Sequence, residues 1–246
     1  MTLSRPKALA RGWAALTAAL FPARCLGCGR RGAAFCGACW DGLPRLRPPL
    51  CSRCSRPERN STRCGACLRA GPALTAVRAA CVYSGAARLA IQRLKYEQQR
   101  YLAEPLAALL QECLTARPLA VDALVPVPLD AARARERGYN QAALLAAPVA
   151  ESLAVSFAPR WLRRSRPTRP QVGLSARERR ANVRGAFTCP ESAGVAGRRI
   201  LLVDDVMTTG ATLEACAEAL LTAGAASVFG LVVARDLPDG HPAPEP

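Results

Sequence analysis

Eight of the twelve cysteines form four Cys-x-x-Cys pairs within the first seventy residues. The two sulfurs of such a pair lie on one side of a tight turn, and two pairs complete the tetrahedral shell of a structural zinc ion. Seven residues separate the first two pairs and nine the last two, so each half holds the ligands for one zinc ion. Pairing in sequence order is the simpler arrangement, and an interleaved one stays open. The predicted ligands are Cys25, Cys28, Cys36, Cys39, Cys51, Cys54, Cys64 and Cys67.

A second pattern lies in residues 200–212, where an apolar run precedes two carboxylates and a loop rich in Thr. The run predicts a buried strand, and open α/β sheets bind ligands at the carboxyl ends of their strands. Two carboxylates suit the hydroxyls of a ribose, and a loop entering a helix N-terminus suits a phosphate. A turn followed by an N-cap would explain one carboxylate and one hydroxyl, but not the whole set. The predicted sugar-phosphate contacts are Asp204, Asp205, Thr208, Thr209, Gly210 and Thr212.

Several reaction classes are excluded by residues that the chain lacks. Its one histidine, His241, lies in a Pro-rich C-terminal stretch, so a Ser/His/Asp or Cys/His centre has no base. No GxxxxGK(S/T) sequence is present, which excludes a Walker-type phosphate loop. The paired cysteines are typical of metal thiolates rather than disulfides and predict a reducing compartment, the cytoplasm.

The elements that would position these groups change character along the chain. The Cys-rich segment is too short for a sizeable core, so metal binding would supply most of its folding free energy. From residue 78 onward, strand-like and helical segments alternate, which predicts an α/β domain with a mainly parallel sheet flanked by helices. No apolar stretch approaches the ~20 residues of a membrane span. The predicted parts are an amphipathic leader helix (1–22), a double zinc ribbon (23–70), the α/β domain (78–236) and a disordered tail (237–246).

The charge balance favours a polyanionic partner. The formal net charge is +16 and the pI is near 10.1, so phosphate neutralisation would be favourable. Nearly all basic residues are Arg, with Lys only at Lys7 and Lys95, and solvated arginine faces remain the alternative.

Taken together, these motifs resemble the competence protein F family (ComF, also called GntX). Residues 200–212 are similar to the phosphoribosyl pyrophosphate (PRPP) motif of type I phosphoribosyltransferases, and the double ribbon precedes it as in that family. The likeness covers the chain from Pro22 to about Arg235, and it implies a type I phosphoribosyltransferase-like fold for the α/β domain. Four further segments carry it: Tyr83–Tyr96, Val125–Leu129, Arg137–Gln141 and Arg166–Gln171.

The resemblance implies two further parts of the site. The turn after Val125–Pro128 would contact a diphosphate, and Arg160–Arg184 would be a mobile loop, or lid, that closes over the ligand. The lid carries nine Arg and one Glu, a net charge of +8. Arg pairs phosphate oxygens bidentately, so such a lid suits a diphosphate or a nucleic-acid backbone. The implied diphosphate and lid residues are Arg137, Asn140, Arg166, Thr168, Gln171 and Arg180.

The resemblance also implies a function: binding of PRPP or a related sugar phosphate and of single-stranded DNA, in DNA uptake and natural transformation. Partners would be DNA-uptake or recombination proteins, and Mg²⁺ would accompany PRPP if the protein is catalytic. One alternative is an active phosphoribosyltransferase that releases pyrophosphate with an unidentified small-molecule acceptor. The sequence shows no recognisable set of base-stacking aromatics for that acceptor. Another alternative is a zinc-dependent protein-interaction module.

Overall fold

The computed structural model describes residues 23–59, 62–68, 73–169, 173, 175–190 and 194–237. The chain divides into two compact units, Met1–Leu43 and Pro44–Pro246. The predicted leader helix (1–22) lies outside the described residues, as do residues 238–246 of the predicted tail. The ranges 23–70 and 78–236 remain predictions of how the chain divides into domains.

The first unit holds the first pair of cysteine turns. A β-bridge joins Arg24 and Arg31, and a short helix, α1 (Gly37–Asp41), follows. Phe35 packs edge to face on Trp40 with 5.8 Å between ring centroids, which gives this small unit an aromatic contact beside its cysteines.

The second unit is built on a five-stranded parallel sheet. Its strands and a separate antiparallel pair are β1 (Ala76–Val82), β2 (Ala123–Pro126), β3 (Ser156–Phe157), β4 (Arg163–Arg164), β5 (Phe187–Thr188), β6 (Arg199–Met207) and β7 (Ser227–Arg235). The sheet order is β1-β7-β6-β2-β3, and β4 pairs with β5. Every pairing within the five strands is parallel, so the predicted fold class is confirmed.

The helices described in this unit are α2 (Gly65–Leu68), α3 (Gly85–Tyr96), α4 (Ala103–Ala116), α5 (Ala131–Arg137), α6 (Gln141–Ser152), α7 (Ala176–Val183) and α8 (Ala211–Thr222), with a 3₁₀ turn at Arg100–Leu102. Helices α4, α6 and α8 flank the sheet and bury apolar residues against it. In α4, the buried residues Leu106, Leu109, Leu110 and Cys113 recur at helical spacing. Among the described helices, none combines the length and the apolar character that crossing a membrane requires.

The central strand β6 forms as the apolar run predicts and continues past the two carboxylates to Met207. Residues 200–203 are fully buried between neighbouring strands and helices. Because β6 pairs with β2 on one side and β7 on the other, its carboxyl end lies at the middle of the sheet edge.

The second ribbon segment covers the outer edge of β1. The Val77 N–H donates to the Arg53 carbonyl over 2.6 Å, and the Ser55 hydroxyl donates to the Val77 carbonyl over 2.8 Å. Further along, the Leu46 N–H donates to the Ala80 carbonyl over 2.9 Å. Residues 44–55 therefore occupy backbone groups that an edge strand leaves unpaired.

Within the residues that the structure describes, the predicted lid contains β4 and α7, and β5 follows it. Strands β4 and β5 pair antiparallel, and α7 begins at a capping box in which Ser175 and Glu178 exchange hydrogen bonds. The Asn182 side chain accepts from the Arg169 N–H over 3.1 Å and donates to the Arg169 carbonyl over 2.9 Å. These contacts hold the arginine-rich segment together.

Candidate functional site

Two four-cysteine clusters group the pairs in sequence order. Within each cluster all four sulfurs lie within 4.8 Å of one another. A tetrahedron with Zn–S bonds of about 2.3 Å has edges of about 3.8 Å. The Sγ atoms are 3.8 Å apart for Cys25 and Cys36, and 3.6 Å apart for Cys54 and Cys64. The thiol sets therefore fit structural zinc.

Backbone N–H groups support thiolate ligands in both clusters. The N–H of Cys36 lies 3.4 Å from Cys25 Sγ, and such hydrogen bonds lower the pKa of Cys25 to about 6. Burial alone would raise the pKa of Cys51, but N–H groups led by that of Cys64 lower it to about 6. All four cysteines of the second cluster are buried, whereas Cys28 of the first is exposed.

A cleft of about 310 Å³ lies at the carboxyl ends of β1, β2 and β6. One wall is the end of β6 and the following loop, and the others come from the ends of α3 and α5, the turn after β2 and the lid. Among the described residues, six basic side chains and three carboxylates line it. These are Lys95, Arg133, Arg137, Arg164, Arg169 and Arg179, with Asp130, Asp204 and Asp205.

The two carboxylates of β6 lie in contrasting surroundings. Asp205 is 3% exposed, and its Oδ1 is 2.6 Å from Lys95 Nζ. Its Oδ2 is buried and has no hydrogen-bond partner among the described residues. Burial and the charge of Asp205 raise the pKa of Asp204 from 3.8 to about 7. Burial alone would lower the pKa of Lys95, but the nearby negative charges, led by Asp205 and including Asp204, together outweigh this effect and raise it.

The loop after β6 requires glycine at its last position. Gly210 is the N-cap of α8 and has φ +83°, a left-handed conformation that side chains disfavour. A Cβ there would lie 2.6 Å from Met207 Cε. Thr208 and Thr212 line the cleft at the N-terminus of α8, where the helix dipole favours an anion.

The lid contacts this loop directly. Arg179 of α7 donates to the Thr208 hydroxyl over 2.8 Å. Arg164 donates to Thr168, and its Nε is 4.0 Å from Asp130, the N-cap of α5. The lid, the turn after β2 and the loop after β6 therefore meet around one cleft.

Of the predicted residues, Asp204, Asp205, Thr208, Thr212, Arg137 and Thr168 line this cleft together. The other predicted residues are placed elsewhere. Thr209, Gly210 and Arg180 line a separate cavity of about 190 Å³ on the other side of the loop. Asn140 caps α6, where it accepts from the Ala142 N–H, and donates to the Val127 carbonyl over 3.0 Å. Arg166 donates to backbone carbonyls inside the lid, and Gln171 lies outside the described residues.

Sequence reasoning missed Lys95, Arg179 and two cleft tyrosines as site residues. Lys95 had one usable signal, because it is one of only two lysines in the chain and lies in a segment that carries the family resemblance. Arg179 is one of nine arginines in the lid, and nothing in the sequence distinguishes it from the other eight. Tyr83 and Tyr96 come together only through the ends of β1 and α3.

The second ribbon also reaches the loop from the side of the separate cavity. Arg53, between two cysteine ligands, donates to Glu214 in the first turn of α8 over 3.1 Å. It also donates to the Leu74 carbonyl over 3.1 Å and to the Cys67 carbonyl over 3.3 Å. At the end of β7, the buried Arg235 donates to Met207 Sδ over 3.0 Å. Arg53 therefore connects the second cysteine cluster to the first turn of α8, and Arg235 contacts the last residue of β6.

Comparison with known protein families assigns both parts of the chain. Residues 16–68 match the double zinc ribbon domain family, and residues 102–244 match the phosphoribosyl transferase domain family. Among solved structures, glutamine PRPP amidotransferase from B. subtilis is 19% identical with a TM-score of 0.38, covering 53% of this chain, which spans 26% of that protein. Adenine phosphoribosyltransferase from Thermoanaerobacter pseudethanolicus is 18% identical, with a TM-score of 0.35. The match covers 56% of this chain and 83% of that enzyme.

Curated relatives extend over most of the chain. The DNA utilization protein YhgH of Salmonella typhi is 37% identical over 210 residues, which are 82% of this chain and 91% of the relative. Competence protein F of Haemophilus influenzae is 32% identical over 197 residues, 77% of this chain and 85% of the relative. Competence protein ComFC of Bacillus subtilis is 27% identical over 81% of this chain and 83% of its own. With these relatives and both domain families in order, the chain belongs to the competence protein F family, a double zinc ribbon followed by a phosphoribosyltransferase domain.

Proposed function

We propose that this protein binds PRPP or a related phosphoribosyl ligand in the cleft and single-stranded DNA along its arginine-rich lid, in DNA uptake. The observation that carries the first part is the pairing of the β6 carboxylates with the Thr-rich loop on one wall of the cleft. Asp205 Oδ2 is buried without a partner among the described residues, and such an oxygen is costly unless a ligand donates to it. A ribose hydroxyl would donate that hydrogen bond. Thr208 and Thr212 line the same cleft and would bind the phosphate group attached to the ribose.

The basic side chains across the cleft suit a diphosphate. Arg133 and Arg137 follow the turn after β2, and Arg179 lies over the loop from the lid. Charge-assisted hydrogen bonds from arginine to phosphate oxygens are strong and directional. Mg²⁺ would be supplied with the diphosphate, since it commonly binds phosphates together with one or two carboxylates.

Ligand-induced stabilisation tests the sugar-phosphate site. PRPP with Mg²⁺ should raise the Tm of the wild-type protein, because a ligand that binds only the folded state stabilises it by mass action. The double variant Asp204→Asn with Asp205→Asn should lose this increase. Its far-ultraviolet circular dichroism and zinc content serve as controls for folding. An unchanged PRPP response in the folded double variant would refute the assignment of the carboxylates.

The DNA part of the proposal is supported by the lid charge and by the names of the relatives. The lid has a net charge of +8, and backbone neutralisation gives single-strand binding a slope of about −0.7 in log affinity against log salt per phosphate contact. Replacing four lid arginines by Gln should weaken binding of all sequences alike and flatten this slope. The substitutions are Arg163→Gln, Arg164→Gln, Arg166→Gln and Arg169→Gln. An unchanged affinity and slope would leave the lid arginines either as a solvated face or as a lid for the small ligand. PRPP binding in the same variant decides between these two, because only a lid that clamps the diphosphate should lose PRPP affinity.

A second candidate is transfer of the phosphoribosyl group to a small acceptor. The cavity of about 190 Å³ favours it, because Thr208 lines both this cavity and the cleft. An acceptor nucleophile would form a bond to the anomeric carbon while the bond to pyrophosphate breaks. Pyrophosphate release from PRPP that depends on an added acceptor would support this candidate.

A further inference from the structure

Tyr96 is the most exposed of the large apolar side chains that the structure describes, at 72%. It is the last residue of α3 and lines the cleft beside Lys95, which pairs with Asp205. The ring is held in the wall of the cleft by the end of a helix whose other face is buried. Its position calls for an explanation other than core packing.

A cation already contacts this ring. The guanidinium carbon of Arg137 lies 5.6 Å from the centroid of the Tyr96 ring. Arg137 itself is 8% exposed and donates to Gln141, so its position is fixed from beneath. A cation against an aromatic face favours a defined ring orientation, and the exposure shows that much of the ring is still open to solvent.

The rest of the cleft suits a ligand that is both planar and anionic. Tyr83 lines the same cleft, with the guanidinium carbon of Arg88 at 5.7 Å from its centroid. Basic side chains outnumber carboxylates two to one among the described lining residues. Aromatic rings beside arginines are the combination with which proteins bind single strands, by stacking bases and neutralising phosphates.

We propose that Tyr96 stacks on a nucleobase of bound single-stranded DNA while the neighbouring basic side chains neutralise the adjacent phosphates. This inference rests on the DNA binding proposed above and adds that the cleft contacts bases, not only the backbone. A lid that acts through charge alone should bind strands with and without bases with the same affinity. A stacking tyrosine should bind the strand with bases more tightly.

Strands with and without bases provide the test. Anisotropy titrations compare an oligothymidylate with an abasic oligomer of the same length and charge, for the wild type and three variants. Tyr96→Leu removes the ring, Tyr96→Phe keeps it, and Tyr101→Leu is the matched control. Tyr101 is 49% exposed on the segment that follows α3 and donates to Gln99, but it does not line the cleft.

Stacking contributes about 5-fold to 150-fold in affinity per base. The wild type should therefore prefer the oligothymidylate by at least about 5-fold, and Tyr96→Leu should abolish this preference, while Tyr96→Phe and Tyr101→Leu should retain it. Zinc content and circular dichroism report folding of each variant.

Four outcomes would overturn the inference. Equal binding of both strands by the wild type refutes stacking and leaves the proposed function intact. A preference that survives in folded Tyr96→Leu assigns stacking to another ring. If Tyr96→Leu does not fold, the wild type and Tyr96→Phe decide, since loss of the preference in Tyr96→Phe would show that the hydroxyl rather than the ring is needed. A wild type that binds neither strand refutes both this inference and the DNA part of the proposed function.

Discussion

Neutralising Asp204 should make the ligand-free protein more stable, and increasingly so as the pH rises. Burial and the negative charge of Asp205 raise the pKa of Asp204 from 3.8 to about 7, while Lys95 and Arg164 oppose this increase. Asp204 is therefore only partly ionised at neutral pH, and its ionisation destabilises the folded state. Asp204→Asn removes that charge and keeps the shape of the side chain.

The sign and the size follow from linkage. Because the folded-state pKa lies above the unfolded value, the folded state binds more protons, and the stabilisation present at low pH is lost as pH rises through about 7. For pKa values of about 3.8 and about 7, this contribution falls by about 1.4 kcal/mol between pH 6 and pH 8. For a chain of this size that is a difference of about 3 to 6 °C in Tm.

Scanning calorimetry of wild type and Asp204→Asn at pH 6 and pH 8, without ligand, measures this difference. Any pH dependence of the zinc clusters is common to both proteins, so subtraction removes it. The advantage of Asp204→Asn should be larger at pH 8 by about 1.4 kcal/mol. Asp122→Asn is the control, because hydrogen bonds from Arg199 lower the pKa of Asp122 to about 2, so it stays ionised across this range.

An Asp204→Asn advantage that is equal at pH 6 and pH 8 would refute the reasoning. It would mean that Asp204 is already ionised, or already neutral, across the whole range. A loss of stability in Asp204→Asn would mean that the carboxylate makes a favourable contact that outweighs its burial.

Three further predictions concern the metal and the loop. Purification without chelator should yield two zinc ions per chain by plasma mass spectrometry, and four disulfides by intact mass would contradict this. Arg53→Met should destabilise the protein by about 3 kcal/mol in urea unfolding, because Glu214 loses its ion pair with Arg53 and two backbone carbonyls lose their hydrogen-bond donor. An effect below about 1 kcal/mol would show that these contacts are dispensable. Gly210→Ala should cost about 1 to 2 kcal/mol from its positive φ alone and should weaken the Tm response to PRPP, since Met207 must move; an unaltered PRPP response would show that the loop tolerates the shift.

The parts of the fold that local sequence determines were predictable. Residues 200–203 are apolar without interruption, and this run is enough to predict the central strand and the carboxylates at its end. The cysteine spacings likewise predict two zinc sites and favour pairing in sequence order, although they leave an interleaved arrangement open and only the structure decides between the two.

The contacts between elements that are distant in sequence were not predictable. Lys95 reaches Asp205 only because α3 ends beside the end of β6, which no spacing along the chain encodes. Arg180 and Arg179 are neighbours in sequence, yet only Arg179 lines the cleft, because adjacent residues of α7 point in different directions. The sequence also gives no sign that the second ribbon would share buried contacts with the sheet.

Because residues 44–55 cover the outer edge of β1, loss of zinc from the second cluster should reduce the solubility of the protein. Residues 44–55 include Cys51 and Cys54 of the second cysteine cluster, and they shield the outer backbone groups of a long, apolar edge strand. If the zinc were removed, those groups would be open to pairing with strands of other molecules. A chelator that removes zinc from this cluster should therefore cause self-association, which light scattering measures. In this view, the structural zinc protects the protein from aggregation by keeping the edge of β1 covered.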